Sequence, residues 1–150
     1  MSSVAAFNIL NPVSVTSKGY GLEQAFPIVD PGIKPVGERI LVQVRRPPSH
    51  TGGGLIRTED NRDLIQWNEQ TAKIIAVGDL AFKNKTTLEP WPEGAWAKVG
   101  DFIRIPLHKN DKWSVNIGAI AGEYVLFGTI RDVEVLGVIT GDPLTVKTLL

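Results

Sequence analysis

The 150-residue chain has no cysteine and only two histidines, His50 and His108, which lie far apart in the sequence. The absence of cysteine excludes a disulfide framework, a thiolate zinc site and a thiol nucleophile. The histidines do not fall into a metal-binding spacing such as His-Glu-x-x-His. Carboxylates between residues 59 and 63 are interleaved with arginines, which favours a solvated loop over an acid–base pair. We therefore expect no catalytic residue, no metal and no cofactor.

The chain also lacks an excess of either charge. Sixteen Lys and Arg residues balance sixteen Asp and Glu residues, so no overall positive field attracts nucleic acid or an anionic membrane surface. No apolar run approaches the roughly 18 residues that a transmembrane helix needs. The apolar residues 4–10 lack the basic leader of a signal peptide. These features predict an unprocessed intracellular product with neither a nucleic-acid partner nor a membrane span.

Glycine and proline are plentiful, with 15 and 10 residues that separate short β-branched runs along the whole chain. This pattern is typical of many strands joined by tight turns. The strongest strand is predicted at residues 38–45, where Ile40, Val42 and Val44 alternate with other residues, which predicts one buried face. Further strands are predicted at 72–77, 101–107, 112–117, 124–129 and 133–139, and short helical turns at 22–26 and 60–68. The predicted core comprises Ile40, Val42, Val44, Ile74, Ala76, Phe102, Ile103 and Val135. The predicted fold class is all-β.

Residues 1–34 are predicted to form an extended N-terminal arm, because they combine many large apolar side chains with only four charged ones. Such side chains leave water when a surface is available to cover them. The candidate contact residues are Phe7, Ile9, Leu10, Tyr20 and Phe26. The surface is either a neighbouring protein or the protein's own barrel, on which the arm would add edge strands. Residues 140–150, a Gly-Asp-Pro turn and an alternating segment, are predicted to form a second extension.

Residues 46–70 are predicted to form a flexible loop that binds a partner. The loop contains Gly52, Gly53 and Gly54, which favour mobility, followed by the apolar pair Leu55 and Ile56. Ordering such a loop costs free energy, so each contact is modest, and affinity comes from repeating the loop around a symmetric ring. The alternative is a surface loop whose apolar pair folds back onto the barrel.

Four blocks of sequence resemble the GroES-type co-chaperonins in order and spacing. They are VGERILVQV at 36–44, GGLI at 53–56, AKIIAVG at 72–78 and KVGDFIRI at 98–105. The resemblance covers about residues 35–139 and implies an irregular Greek-key β-barrel of the co-chaperonin type, commonly in a heptameric ring. It also implies that the loop docks on a chaperonin through a short apolar motif, which falls on Leu55 and Ile56. The roof hairpin of the family would fall near residues 82–96.

The resemblance is to a divergent, phage-type member of the family with extensions at both ends. The first function hypothesis is a non-enzymatic capsid decoration (cement) protein of the virion, whose arms bind the major capsid protein. The alternative is a phage-encoded co-chaperonin that caps a chaperonin ring in the host cytoplasm. Arg57 follows the apolar pair and is costly to desolvate in an apolar groove, so it would weaken docking on a chaperonin. Both hypotheses predict a homo-oligomer.

Overall fold

The computed structural model describes residues 21–47, 65–106, 111–117 and 123–145. Within them, a short helix precedes six strands. The bounds are α1 (Leu22–Ala25), β1 (Arg39–Val44), β2 (Thr71–Val77), β3 (Phe102–Arg104), β4 (Asp111–Asn116), β5 (Tyr124–Arg131) and β6 (Gly137–Val138), with a 3-10 turn at Asp132–Glu134. Residues 65–67 are also helical. No helix in this part of the chain has the length and apolarity to span a membrane.

The strands form one antiparallel sheet in the order β4-β5-β1-β2-β3-β6. β1 lies at its centre and pairs with β2 on one side and β5 on the other. This architecture confirms the predicted all-β class and is consistent with the barrel that the resemblance implies. The strand predicted at 133–139 is wrong in its first half, because the chain there makes the 3-10 turn and only Gly137 and Val138 pair with β3.

One face of the sheet, here called the inner face, carries Ile40, Val42 and Val44 of β1. These side chains are fully buried in the largest apolar cluster of the described residues. The other members of that cluster are Ala72, Ile74, Ala81, Phe82, Ala97, Ile103, Ile105, Leu126 and Ile130, with Trp96, Tyr124 and Val135 packed against it. The alternation in β1 therefore identified the inner core correctly. Ala76 and Phe102, which were also predicted in the core, are only partly buried.

The opposite, outer face of β1 is buried as well, so the prediction of one buried face is wrong. Leu41 and Gln43 are 1% and 2% exposed. Leu41 packs with Val125 and Phe127 in a second apolar cluster. The aromatic rings of Trp113 and Phe127 stack on this face with centroids 6.1 Å apart.

Residues 21–34, here called the covering segment, lie over this outer face. Val29 packs against the outer cluster. The amide Nε2 of Gln43 donates to the carbonyl oxygen of Pro27 at 2.7 Å, and the indole Nε1 of Trp113 donates to that of Pro31 at 3.0 Å. Polar groups buried on the sheet thus find acceptors in the segment's backbone, as buried polar groups require.

The first residues of the covering segment also contact the rest of the fold. The ring of Phe26, which is 5% exposed, lies 5.1 Å from the ring of Phe102. The backbone N–H of Arg46 donates to the carbonyl oxygen of Ala25 at 3.0 Å. Phe26 therefore belongs to the fold of its own chain rather than to a free arm. The segment lies across the sheet face and adds no edge strand. The other predicted arm contacts, Phe7, Ile9, Leu10 and Tyr20, lie outside the described residues.

A glycine turn leads from the covering segment into β1. Gly37 has a φ of 61°, in the left-handed region that favours glycine. The end of β2 approaches this turn so closely that a Cβ on Gly78 would lie 2.3 Å from the carbonyl oxygen of Gly37. Glycine is therefore required at position 37 by the backbone conformation and at position 78 by close packing.

Candidate partner-binding site

The residues predicted to bind a partner in the loop, Gly52, Gly53, Gly54, Leu55 and Ile56, lie outside the described residues. Their role stays a prediction. The structure does describe both ends of the loop, at residues 45–47 and 65–71. The contacts of these two ends determine where the loop leaves the barrel and where it returns.

Arg45 joins the two ends of the loop through a buried ion pair. It follows β1 and is 8% exposed, while Glu69, just before β2, is 6% exposed. The guanidinium Nε and Nη2 donate to Glu69 Oε1 at 3.0 and 2.7 Å. The backbone N–H of Arg45 also donates to the carbonyl oxygen of Thr71 at 3.0 Å. Two charge-assisted hydrogen bonds to one carboxylate oxygen restrict both side chains to one geometry.

The second carboxylate oxygen of Glu69 is also satisfied. Glu69 Oε2 accepts the backbone N–H groups of Gln70 and Thr71 at 3.0 and 3.1 Å. A buried ion pair needs such additional hydrogen bonds to offset the loss of hydration. The start of β2 is therefore positioned by the same carboxylate that binds Arg45.

Three further polar contacts hold the ends of the loop on the barrel. Arg46 forms an ion pair with Glu123, beside the start of β5. Lys112 Nζ donates to the carbonyl oxygen of Trp67 at 2.7 Å, and Gln70 Nε2 donates to that of Ile105 at 3.1 Å. Burial lowers the pKa of Lys112, while the charge of Glu69 acts in the opposite direction. The loop is thus presented from a fixed base.

Residues 82–96, where the resemblance would place the roof hairpin, are anchored by Asp132. This carboxylate is fully buried, and its Oδ2 accepts the backbone N–H of Phe82 at 2.7 Å and Lys85 Nζ at 2.5 Å. The indole of Trp96 donates to the carbonyl oxygen of Asp132 at 3.0 Å and meets the Phe82 ring edge-on at 4.8 Å. The hairpin is therefore held to the turn between β5 and β6.

Four of the exposed apolar side chains in the described residues lie in two segments that flank the barrel strands. Ile33 and Val36 precede β1 and are 49% and 70% exposed. Leu136 and Val138, in and beside β6, are 63% and 39% exposed. β6 is an edge strand whose partner within the sheet is β3. Unpaired edges and exposed apolar side chains are typical of surfaces that other chains cover.

Titratable side chains do not gather into a metal site in the described ranges. No group of three or more His, Cys, Asp or Glu side chains there could hold a metal ion. His50 and His108 lie outside these ranges. The carboxylates singled out above, Glu69 and Asp132, accept hydrogen bonds from their own chain and serve its structure.

Sequence reasoning missed both carboxylate anchors. A strand that ends in Arg45 and Arg46 signals only that charge lies at the loop's start. Nothing in the sequence pairs Arg45 with Glu69, because the two residues meet only when β1 and β2 align in register. The same holds for Asp132 and the distant Lys85.

A comparison with family models matches residues 32–92 to the chaperonin 10 kDa subunit. The matched segment contains β1, the loop, β2 and most of the roof hairpin. The match supports the resemblance to the GroES-type co-chaperonins and a co-chaperonin-like function at the level of that family. A comparison with curated proteins finds no match.

Proposed function

We propose that the protein is a non-enzymatic, oligomeric co-chaperonin that docks on a chaperonin ring through residues 46–70, with Leu55 and Ile56 as its apolar contacts. The observation that carries this proposal is the base of the loop. Arg45 and Glu69 clamp its two ends on the barrel, while the glycine-rich stretch and the apolar pair stand between them in the sequence. The family match spans the whole loop.

Oligomerisation is supported by the two exposed apolar segments. Ile33 and Val36 form one segment and Leu136 and Val138 form the other, so a contact between the first segment of one copy and the second segment of its neighbour is head-to-tail. Head-to-tail contacts generate a ring when the rotation closes. A ring repeats the loop, and linked weak contacts reach an avidity that a single loop lacks.

The experiment is a binding measurement between the purified protein and a chaperonin ring in the presence of nucleotide. Replacing Leu55 and Ile56 together by Ser removes the apolar contacts. The affinity of each loop should then fall at least about tenfold, which corresponds to a loss of about 1.4 kcal/mol of binding free energy. Leu88→Ser is the control, because Leu88 is an aliphatic residue outside the loop and its side chain is 57% exposed. Unchanged binding of the double variant, with its circular dichroism preserved, would contradict the loop assignment.

A second candidate function is a capsid decoration protein in the virion, with the major capsid protein as its partner. It is favoured by the apolar composition of residues 1–20, which contain Lys18 as their one charged side chain. The covering segment is used within the fold, so the arm available to a capsid is residues 1–20. Stoichiometric presence of the protein in purified particles, lost when the chain begins at Gly21, would support this function. Absence from particles would leave the host cytoplasm as its place of action.

A further inference from the structure

The C-terminal segment, residues 141–145, is held against the base of the loop by Arg45. Nη1 of this arginine donates to the carbonyl oxygen of Pro143 at 2.6 Å, and Pro143 is buried. The segment has a defined shape, since Asp142 accepts the backbone N–H groups of Leu144 at Oδ1 and Thr145 at its carbonyl oxygen, at 2.9 and 3.1 Å. It lies beyond the family match, which ends at residue 92.

The guanidinium of Arg45 therefore joins two distant parts of the chain, the start of β2 and the C-terminal segment. Its donors form a rigid planar fork, so the direction of Nη1 and the direction of Nε and Nη2 are fixed relative to each other. Two donors bind Glu69 and one binds Pro143. Arg45 is 8% exposed with the segment in place, so loss of the segment exchanges a fixed carbonyl acceptor for water and leaves the guanidinium free to move.

The effect of losing Pro143 extends to β2. A guanidinium that shifts to find a new acceptor changes its geometry towards Glu69 Oε1. Glu69 Oε2 in turn holds the backbone N–H groups of Gln70 and Thr71. These two amides are thus the natural reporters of whether the C-terminal segment is docked.

We propose that residues 141–145 act as a strap that positions the base of the loop through Arg45, so that docking of the strap and binding at the loop are coupled. The coupling to a partner rests on the proposed function, whereas the contact between strap and loop base does not. Because coupling free energies are reciprocal, a partner that reorients the loop base also changes the exposure of the strap.

The test is amide hydrogen exchange, resolved at Gln70 and Thr71, in two shortened chains. A chain that ends at Thr140 lacks the strap, and a chain that ends at Thr145 keeps it. The chain ending at Thr140 should exchange these two amides about tenfold faster than the full chain. The chain ending at Thr145 should match the full chain. Equal exchange in the two shortened chains would overturn the proposal.

Substitution of the arginine gives an independent arm of the test. Arg45→Lys keeps the charge but loses the planar fork, so Gln70 and Thr71 should again exchange faster. Combined with the chain ending at Thr140, it should add little, because both changes break one network. The matched control is Arg131→Lys, whose guanidinium binds Glu38 at an exposed site. Additive effects, or an equal effect of Arg131→Lys, would also overturn the proposal.

Chaperonin binding by the same chains separates the two proposals. Weaker binding by the chain ending at Thr140 than by the chain ending at Thr145 supports the coupling. If exchange at Gln70 and Thr71 accelerates but none of the chains binds a chaperonin, the contact between strap and loop base is supported and the proposed function is contradicted. If binding differs while exchange does not, the strap is wrong and the proposed function stands.

Discussion

The two faces of β1 are buried in different ways. On the inner face, Val42 and its neighbours pack against apolar side chains from other strands of the same sheet. On the outer face, Leu41 and Gln43 are covered by residues 21–34, most of which precede the family match that begins at residue 32. The inner core is therefore built within the sheet itself, whereas most of the outer cover comes from residues that precede the matched range.

The chemistry of the two faces differs accordingly. The inner face of β1 is wholly apolar, while the outer face includes the amide of Gln43 and the indole of Trp113. Both groups donate to carbonyl oxygens of the covering segment. The outer face therefore needs that segment for hydrogen bonding as well as for apolar contact, and its loss would leave polar donors on a largely apolar surface.

The largest effect should come from the inner face. Val42→Asp places a carboxylate among fully buried apolar side chains, which should cost about 4 kcal/mol or more and unfold a marginally stable domain. Chemical denaturation followed by circular dichroism measures it. Val77→Asp, at a position that is 38% exposed, is the control and should cost less than about 1 kcal/mol. Equal stability of the two variants would show that the assigned register is wrong.

A smaller effect is expected at the turn that joins the covering segment to β1. Gly78→Ala would place a Cβ 2.3 Å from the carbonyl oxygen of Gly37, so the turn must shift, at a cost of about 2 kcal/mol. Gly141→Ala meets nothing within 4 Å and should change the free energy of unfolding by less than about 0.5 kcal/mol. Thermal unfolding of both variants measures these costs. A Gly78→Ala protein with an unchanged melting temperature would contradict the close approach of Gly78 to Gly37.

The smallest effect should come from the outer face. Gln43→Met keeps most of the side-chain volume but removes the donor to Pro27, at a cost of about 1 kcal/mol. In a chain that begins at Pro35 the acceptor is gone, so the same substitution should be neutral or stabilising. The difference between the two costs, measured by denaturant unfolding, is the coupling between Gln43 and the covering segment. Equal costs in both chains would mean that the hydrogen bond contributes nothing.

The sequence predicted the inner face and failed on the outer one for a physical reason. Period-two alternation identifies one apolar face, and Ile40, Val42 and Val44 supplied it. Gln43 is a polar residue, so the pattern marked its face as solvated. Its burial depends on Pro27, a partner that no periodicity links to β1.

In the candidate site, too, the sequence pattern predicted the local features and missed the contacts between distant residues. The loop and its apolar pair stand out locally as a glycine-rich stretch followed by Leu55 and Ile56. The anchors that fix its base, Arg45 with Glu69 and Pro143, are separated by 24 and 98 residues. Long-range ion pairs leave no local signal, so they emerge only from the folded chain.

The most direct test of the central claim compares the melting temperatures of chains that begin before and after residues 21–34. The described contacts to the outer face come from residues 21–34, so a chain that begins at Gly21 keeps all of them and serves as a second reference beside the full chain. A chain that begins at Pro35 loses the packing of Phe26 and Val29 and both hydrogen bonds, and should melt about 10 °C lower or more. If the chain beginning at Pro35 melts with the full chain, residues 21–34 are a free arm and the account of the outer face is wrong.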